Sequence, residues 1–128
     1  MTVYLSEYIC PEAASRLKAH ATVVDSFDHI EEIDAIILRN IPVTAEMMAQ
    51  AKKLKVIAKH GIGCNTIDLN AARARGIQVI YTPTANADSV AEMTVGLFLM
   101  MERRLYEANV KCRNSEFRTI APQDFLGT

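Results

Sequence analysis

The sequence has no tryptophan and little glycine, proline or cysteine. Of its 128 residues, five are glycine, four are proline and three are cysteine, whereas 50% are hydrophobic. This composition excludes a disordered or low-complexity chain. Charge of either sign is also not in excess, because 14 Lys and Arg balance 15 Asp and Glu. Proteins that bind nucleic acid mainly by charge are more basic, so we expect no nucleic-acid partner.

Long hydrophobic runs and metal-binding spacings are missing too. The most apolar run, residues 90–101, contains Glu92 and is shorter than the ~20 residues that cross a bilayer. We therefore expect a buried helix there and no membrane partner. Cys10, Cys64 and Cys112 cannot all pair within one chain, and with the three histidines they form no metal-ligand pattern. A reducing, cytoplasmic location and no metal site are expected.

Short aliphatic segments alternate with helical patterns along the chain. Each segment is apolar at odd and even positions, which is typical of strands buried on both faces of a parallel sheet. The predicted strands are Thr2–Leu5, 22–25, Ala35–Leu38, Val56–Lys59 and Gln78–Tyr81.

Helix signals lie between these segments. Pro11 suits a first turn, Thr44 can cap a helix, and Ser89 with Glu92 forms a capping box. Gly76 supplies a left-handed stop. The predicted helices are 11–19, 44–51, 65–75 (capped by Asn65 or Thr66) and 89–105, with at most one turn at 28–32.

This alternation predicts an α/β fold with right-handed crossovers and helices on both faces of the sheet. We expect the flavodoxin-like strand order 2-1-3-4-5, in which ligands bind at the carboxyl ends of the strands. The loops at that edge are residues 6–10, 39–43, 60–65 and 82–89. An FMN phosphate loop is rich in Gly, Ser and Thr, whereas residues 6–10 are Ser-Glu-Tyr-Ile-Cys. The third strand ends in Leu38 and Arg39, without the aspartate of a phospho-acceptor domain.

The loop after the fourth strand is a candidate anion site. It contains Gly61, Ile62 and Gly63 next to Lys59 and His60. Two glycines two residues apart allow a tight turn with exposed backbone N–H groups, and a following helix start favours negative charge. An ordinary strand-to-helix turn is the alternative. The loop lacks the full G-x-G-x-x-G pattern of dinucleotide sites.

Polar residues follow the third and fifth strands as well. Arg39, beside Asn40, can bind an anion through two parallel N–H groups or remain solvated. Thr84 and Asn86 can contact a ligand or simply serve a turn.

Several spaced motifs resemble one enzyme family in content and order. They are Leu54-Lys55-Val56-Ile57, Gly61-Ile62-Gly63-Cys64-Asn65-Thr66-Ile67-Asp68, Ala71-Ala72, Arg75-Gly76-Ile77-Gln78-Val79, Thr82-Pro83 and Ser89-Val90-Ala91-Glu92, preceded by Arg39-Asn40 and Val43-Thr44. This pattern resembles the D-isomer-specific 2-hydroxyacid dehydrogenases, closest to the phosphoglycerate dehydrogenase-like branch.

The resemblance implies a domain organisation. Residues 1–88 correspond to a flavodoxin-like substrate domain, which in the family is completed by a C-terminal return of the chain. Residues 89–128 correspond to a crossover helix and the start of an NAD-binding Rossmann domain that is itself absent. Residues 124–128 resemble the segment just before the first Rossmann strand.

The resemblance also implies an activity. The family transfers hydride between a nicotinamide and a 2-hydroxy or 2-oxo acid, and a 3-phosphoglycerate-like substrate is expected here. NAD or NADP would bind the full-length protein. The catalytic Arg, Glu and His are expected downstream of Thr128, so we assign no catalytic residue and expect the 128 residues alone to be inactive. A short non-catalytic flavodoxin-like module that binds a small anion or a protein partner is the alternative.

Site residues follow from the same resemblance. Lys59 stands where arginine is common, and His60 where a small residue is usual. The implied substrate-binding residues are Arg39, Asn40, Lys59, His60, Gly61, Ile62 and Gly63, and the implied cofactor-binding residues are Ile62, Asn86 and Thr94.

A homodimer is expected through Val95, Phe98, Leu99 and Leu105, because the apolar face of the predicted helix is too wide for one small sheet to cover.

Overall fold

The computed structural model describes residues 1–116, which divide into two compact units. The first unit is Met1–Thr84, and the second begins at Ala85. The expected tail motif at residues 124–128 lies outside the described residues.

The first unit contains the five-stranded sheet that the sequence predicts. All strands are parallel, in the order β2-β1-β3-β4-β5. Only β2 differs from the predicted bounds, because the edge strand has its last partner at Val24, opposite Tyr4. The strands are β1 Thr2–Leu5, β2 Thr22–Val24, β3 Ala35–Leu38, β4 Val56–Lys59 and β5 Gln78–Tyr81.

The helices of this unit are short. As predicted, the Thr44 hydroxyl accepts a hydrogen bond from the Met47 N–H, at 3.3 Å, and caps α2. Gly76 takes a left-handed φ of +68° after α3. The elements are α1 Pro11–His20, a 3₁₀ turn Ile30–Glu32, α2 Ala45–Gln50 and α3 Leu69–Ala74.

The predicted start of α3 at Asn65 or Thr66 is wrong. The cap is Asp68, whose carboxylate accepts the Ala71 N–H at 2.9 Å. Before it, Ile67 forms an isolated parallel bridge with Val43, so the backbone is extended where a helix was expected. Val43 donates to the Thr66 carbonyl at 2.8 Å. A tertiary pairing therefore overrides the local capping signal.

The second unit contains two helices rather than the single long helix that was predicted. They are α4 Ala87–Glu102 and α5 Leu105–Arg113. The predicted capping box at Ser89 is wrong, because the cap position is Asn86, whose carbonyl accepts the Val90 N–H. The expected continuation to Leu105 is also wrong, since Arg104 takes a left-handed φ of +47° and interrupts the helix.

The core of the first unit lies on one face of the sheet. Ile36 and Ile57 are paired on neighbouring strands and are fully buried, together with Met48 of α2 and Ala72 of α3. The intervening positions of β3 and β4 are only half-buried. Burial on the two faces is therefore unequal, in contrast to the expectation from the sequence. Within residues 1–116, no helix has the length and hydropathy to cross a membrane.

We expect Ile57→Ala to lower the free energy of unfolding by about 2–5 kcal/mol, because it leaves a cavity in this core. Ile80→Ala on β5 is the matched control, since Ile80 is 47% exposed. Urea unfolding followed by circular dichroism measures both effects. Equal losses in the two variants would contradict the assignment of the core to one face.

Candidate functional site

The carboxyl ends of β3 and β4 bring two of the predicted loops side by side. Leu38 pairs with Lys59 at the ends of the two strands. The His60 N–H extends this pairing by donating to the Leu38 carbonyl at 2.7 Å. Arg39 and Asn40 therefore follow directly beside the glycine loop.

Gly61 forms the turn that ends β4. Its φ of +141° lies in a region that side chains rarely adopt. The Gly61 N–H donates to the Lys59 carbonyl and to the Thr82 hydroxyl, each at 3.0 Å. The Thr82 N–H donates in turn to the Gly61 carbonyl at 3.1 Å. The Gly61 N–H is therefore already hydrogen-bonded within the protein. Its bond to the Thr82 hydroxyl holds the turn against the residue that follows β5.

The next three residues carry the amide groups that can bind a ligand. Within residues 1–116, the N–H groups of Ile62, Gly63 and Cys64 donate no hydrogen bond. Ile62 is 52% exposed, so this turn faces solvent. A Cβ atom at Gly63 would lie 3.1 Å from Asn65 Oδ1, which favours the smallest residue there. Three consecutive N–H donors suit a carboxylate or phosphate.

Lys59 is buried, with 8% of its surface exposed. Its Nζ donates to the Arg39 carbonyl and, at 3.5 Å, to the Thr66 hydroxyl. The ammonium therefore connects the β3 loop to the glycine loop instead of projecting into solvent. Its charge still contributes a positive potential at this edge.

The Arg39–Asn40 peptide group is held at both of its ends. Lys59 binds its carbonyl oxygen, and its N–H group, which belongs to Asn40, donates to both Glu7 carboxylate oxygens at 3.1 Å each. The Arg39 side chain is exposed and has no ion-pair partner within the described part of the chain. The orientation of this peptide is fixed while the guanidinium stays available to an anion.

Sequence reasoning missed Glu7 and Thr82. Glu7 lies in the loop after β1, and the strand order itself places that loop beside β3. Burial, followed by the negative charges of Asp25 and Glu7, raises the pKa of Tyr4 above its ordinary value of 10.0. The Glu7 carboxylate therefore acts electrostatically on the Tyr4 hydroxyl, and it also accepts a hydrogen bond from the Asn40 N–H.

The remaining predicted residues are placed as follows. His60 is exposed, and its side chain has no partner in residues 1–116. Asn86 and Thr94 belong to the second unit, where the Thr94 hydroxyl donates to the Val90 carbonyl at 2.7 Å. No group of three metal-ligating side chains occurs within residues 1–116.

Residues 3–123 match the family model of the D-isomer specific 2-hydroxyacid dehydrogenase catalytic domain. The chain belongs to this family. Its members act on small 2-hydroxy acids with a nicotinamide cofactor. A 2-hydroxy acid carries a carboxylate, so a candidate anion site at the carboxyl edge of the sheet is compatible with this family.

Individual relatives and solved structures give the extent of the similarity. The chain is 37% identical over 101 residues to the hydroxypyruvate reductase of Thermotoga maritima, covering 77% of this chain and 33% of that one. It is 40% identical over 85 residues to the D-3-phosphoglycerate dehydrogenase of Mycobacterium leprae, covering 66% and 16%. The crystal structure of the TT0316 protein from Thermus thermophilus matches with a TM-score of 0.87 and 29% identity, over 99% of this chain and 45% of that one. The chain thus spans a third or less of the length of these two curated enzymes.

We expect Gly61→Ala to destabilise the first unit by roughly 1–3 kcal/mol, because alanine is strained at the positive φ of this turn. Gly96→Ala is the control: apart from the nearby backbone of α4 itself, no atom of residues 1–116 lies within 4 Å of its Cβ position, and alanine favours a helix by up to about 1 kcal/mol. Urea unfolding measures both variants. A Gly61→Ala variant as stable as the wild type would show that the turn is not constrained as described.

Proposed function

We propose that this chain forms the substrate-binding part of an NAD(P)-dependent D-2-hydroxyacid dehydrogenase. The observation that carries the proposal is the row of available amide groups at Ile62, Gly63 and Cys64, at the carboxyl edge of the sheet. In this proposal the row binds the carboxylate of a 2-oxo or 2-hydroxy acid. Binding the carboxylate orients the neighbouring C2 atom, whose oxidation state changes in the reaction.

The surrounding side chains have separate tasks in this proposal. Arg39 offers an exposed guanidinium to the anion, whereas Lys59 contributes charge from a buried position. Thr82 keeps the loop in place through its hydrogen bonds to Gly61. No proton-transfer role is assigned to His60, and the catalytic Arg, Glu and His are proposed to lie outside these 128 residues.

The residues that were expected to contact the cofactor have side chains that suit such a contact. The Ile62 side chain is apolar and 52% exposed, which suits contact with the flat nicotinamide ring. The exposed Asn86 amide and the Thr94 oxygen are polar groups of the kind that bind a carboxamide. When bound, NAD or NADP supplies the hydride chemistry. A cytoplasmic location, where Cys10, Cys64 and Cys112 stay reduced, is proposed as well.

Two substrate types are compatible with the carboxylate site. The names of the relatives indicate one type that is phosphorylated, as in 3-phosphoglycerate, and one that is not, as in hydroxypyruvate. Both carry a carboxylate next to C2, so the amide row serves either. The 3-phosphoglycerate-like expectation is therefore one of two candidates.

The test is an NMR titration of the ¹⁵N-labelled chain with pyruvate and hydroxypyruvate. We expect saturable shifts of the amides of Ile62, Gly63 and Cys64, because the carboxylate accepts their hydrogens. Methyl pyruvate, which lacks the negative charge, is the matched ligand control and should bind far more weakly. Equal shifts with the ester and with pyruvate would refute a carboxylate site. If inorganic phosphate and acetate bound as tightly as pyruvate, the alternative of a general anion-binding module would be favoured.

Arg39→Gln should weaken pyruvate binding roughly tenfold, since a charge-assisted hydrogen bond is lost. Arg16→Gln in α1 removes the same charge from another exposed position and should leave the affinity unchanged. The same titration gives both dissociation constants. A similar loss in the two variants would mean that Arg39 acts only through the net charge.

We propose further that the chain forms a homodimer through its second unit. Val95, Phe98, Leu99 and Leu105 are each at least half exposed, which is unusual for side chains of this size. Analytical ultracentrifugation should show a dimer, and Phe98→Glu should shift it to a monomer. Tyr8→Glu, at an exposed position of the first unit, is the control. A wild-type chain that stays monomeric at all concentrations would contradict the dimer.

A further inference from the structure

Glu7 places a negative charge at the edge of the sheet that is otherwise prepared for anions. Both of its carboxylate oxygens lie 3.1 Å from the Asn40 nitrogen, so the side chain is held in a defined position. Only the backbone N–H of Asn40 is bound to it, and no cation pairs with it within residues 1–116. Its charge is therefore not neutralised by an ion pair there.

The strand order determines where this charge lies relative to a bound substrate. Along the carboxyl edge, β4 with the amide row is followed by β3 with Arg39 and then by β1 with Glu7. Neighbouring strands are about 4.8 Å apart. A three-carbon acid bound by its carboxylate above β4 can extend its far end over β3, toward Glu7.

The charge of that far end then decides how well the substrate binds. A hydroxyl group there is neutral and can donate to a carboxylate. A phosphate carries between about −1.5 and −2 charges at neutral pH and repels one. The charges of Lys59 and Arg39 persist with either acid, and in the proposed function they serve the carboxylate that both acids carry.

We infer that Glu7 is a specificity-determining residue, which makes this site select 2-oxo and 2-hydroxy acids with an uncharged far end over their phosphorylated counterparts. This inference rests on the carboxylate site proposed above and narrows its substrate class. Glu7 acts on the substrate through its charge and positions the Arg39–Asn40 peptide through its hydrogen bonds.

Two variants separate these two actions. Glu7→Gln keeps an oxygen that can accept the Asn40 N–H but removes the charge, whereas Glu7→Ala removes both. Glu12→Gln is the control, since it deletes an exposed charge from the first turn of α1. Each variant is titrated with hydroxypyruvate and with its 3-phosphorylated form, and binding is followed by the amide signals of Ile62 to Cys64.

We expect the wild-type chain to bind hydroxypyruvate more tightly than the phosphorylated acid. Glu7→Gln should tighten the phosphorylated acid on the order of tenfold, as expected for removing one charge several ångströms away, and should change hydroxypyruvate little. Glu7→Ala should weaken hydroxypyruvate binding, because the Arg39–Asn40 peptide loses one of its two anchors. Glu12→Gln should leave the ratio of the two affinities unchanged.

The outcomes distinguish failure of this inference from failure of the proposed function. A wild-type chain that binds neither acid overturns both. A chain that binds hydroxypyruvate but prefers the phosphorylated acid, or whose preference is the same in Glu7→Gln, overturns the role of Glu7 and leaves the carboxylate site standing. A shift in preference with Glu12→Gln as large as with Glu7→Gln also overturns it, because the effect would then come from net charge.

Discussion

The pairing of β3 with β4 is the constraint on which the site depends. Because Leu38 lies opposite Lys59, the first residues after the two strands are neighbours in space. Lys59 is the last residue of β4, and its buried ammonium donates a hydrogen bond to the carbonyl of Arg39, the first residue after β3. A slip of one residue in this register would turn Lys59 to the other face of the sheet and separate the two loops.

The strands were predictable because each is a short, apolar, β-branched segment bounded by polar residues or turn formers. The same reasoning failed for the start of α3, where Asn65 and Thr66 carry good local capping chemistry. The bridge between Val43 and Ile67 holds that stretch extended, and the cap moves to Asp68. A contact between segments that are distant in sequence cannot be recognised from a local signal.

The break between α4 and α5 illustrates a second limit of the sequence. Arg104 takes a left-handed conformation that is rare for residues other than glycine and asparagine. Its guanidinium lies 3.0 Å from the Glu107 carboxylate in the first turn of α5. Arg104 follows the apolar run 90–101, and arginine is a good helix former, so a continuous helix was the reasonable expectation.

The position of the candidate site was predicted from topology, whereas the separate roles of its residues were not. The sequence places Arg39, Lys59 and Gly61 at one edge, where all three looked like direct anion ligands. The structure uses the Lys59 ammonium and the Gly61 amide to hold neighbouring loops, leaves the Arg39 side chain exposed, and gives the next three amides no hydrogen-bond partner within residues 1–116. Residues that position a site and residues that bind a ligand in it are of the same chemical types. The sequence therefore does not distinguish the two roles, whereas the hydrogen-bond partners in the structure do. Glu7 shows the converse, because an acidic residue is the last type expected at a candidate anion site, yet its carboxylate accepts the Asn40 N–H and holds the loop after β3.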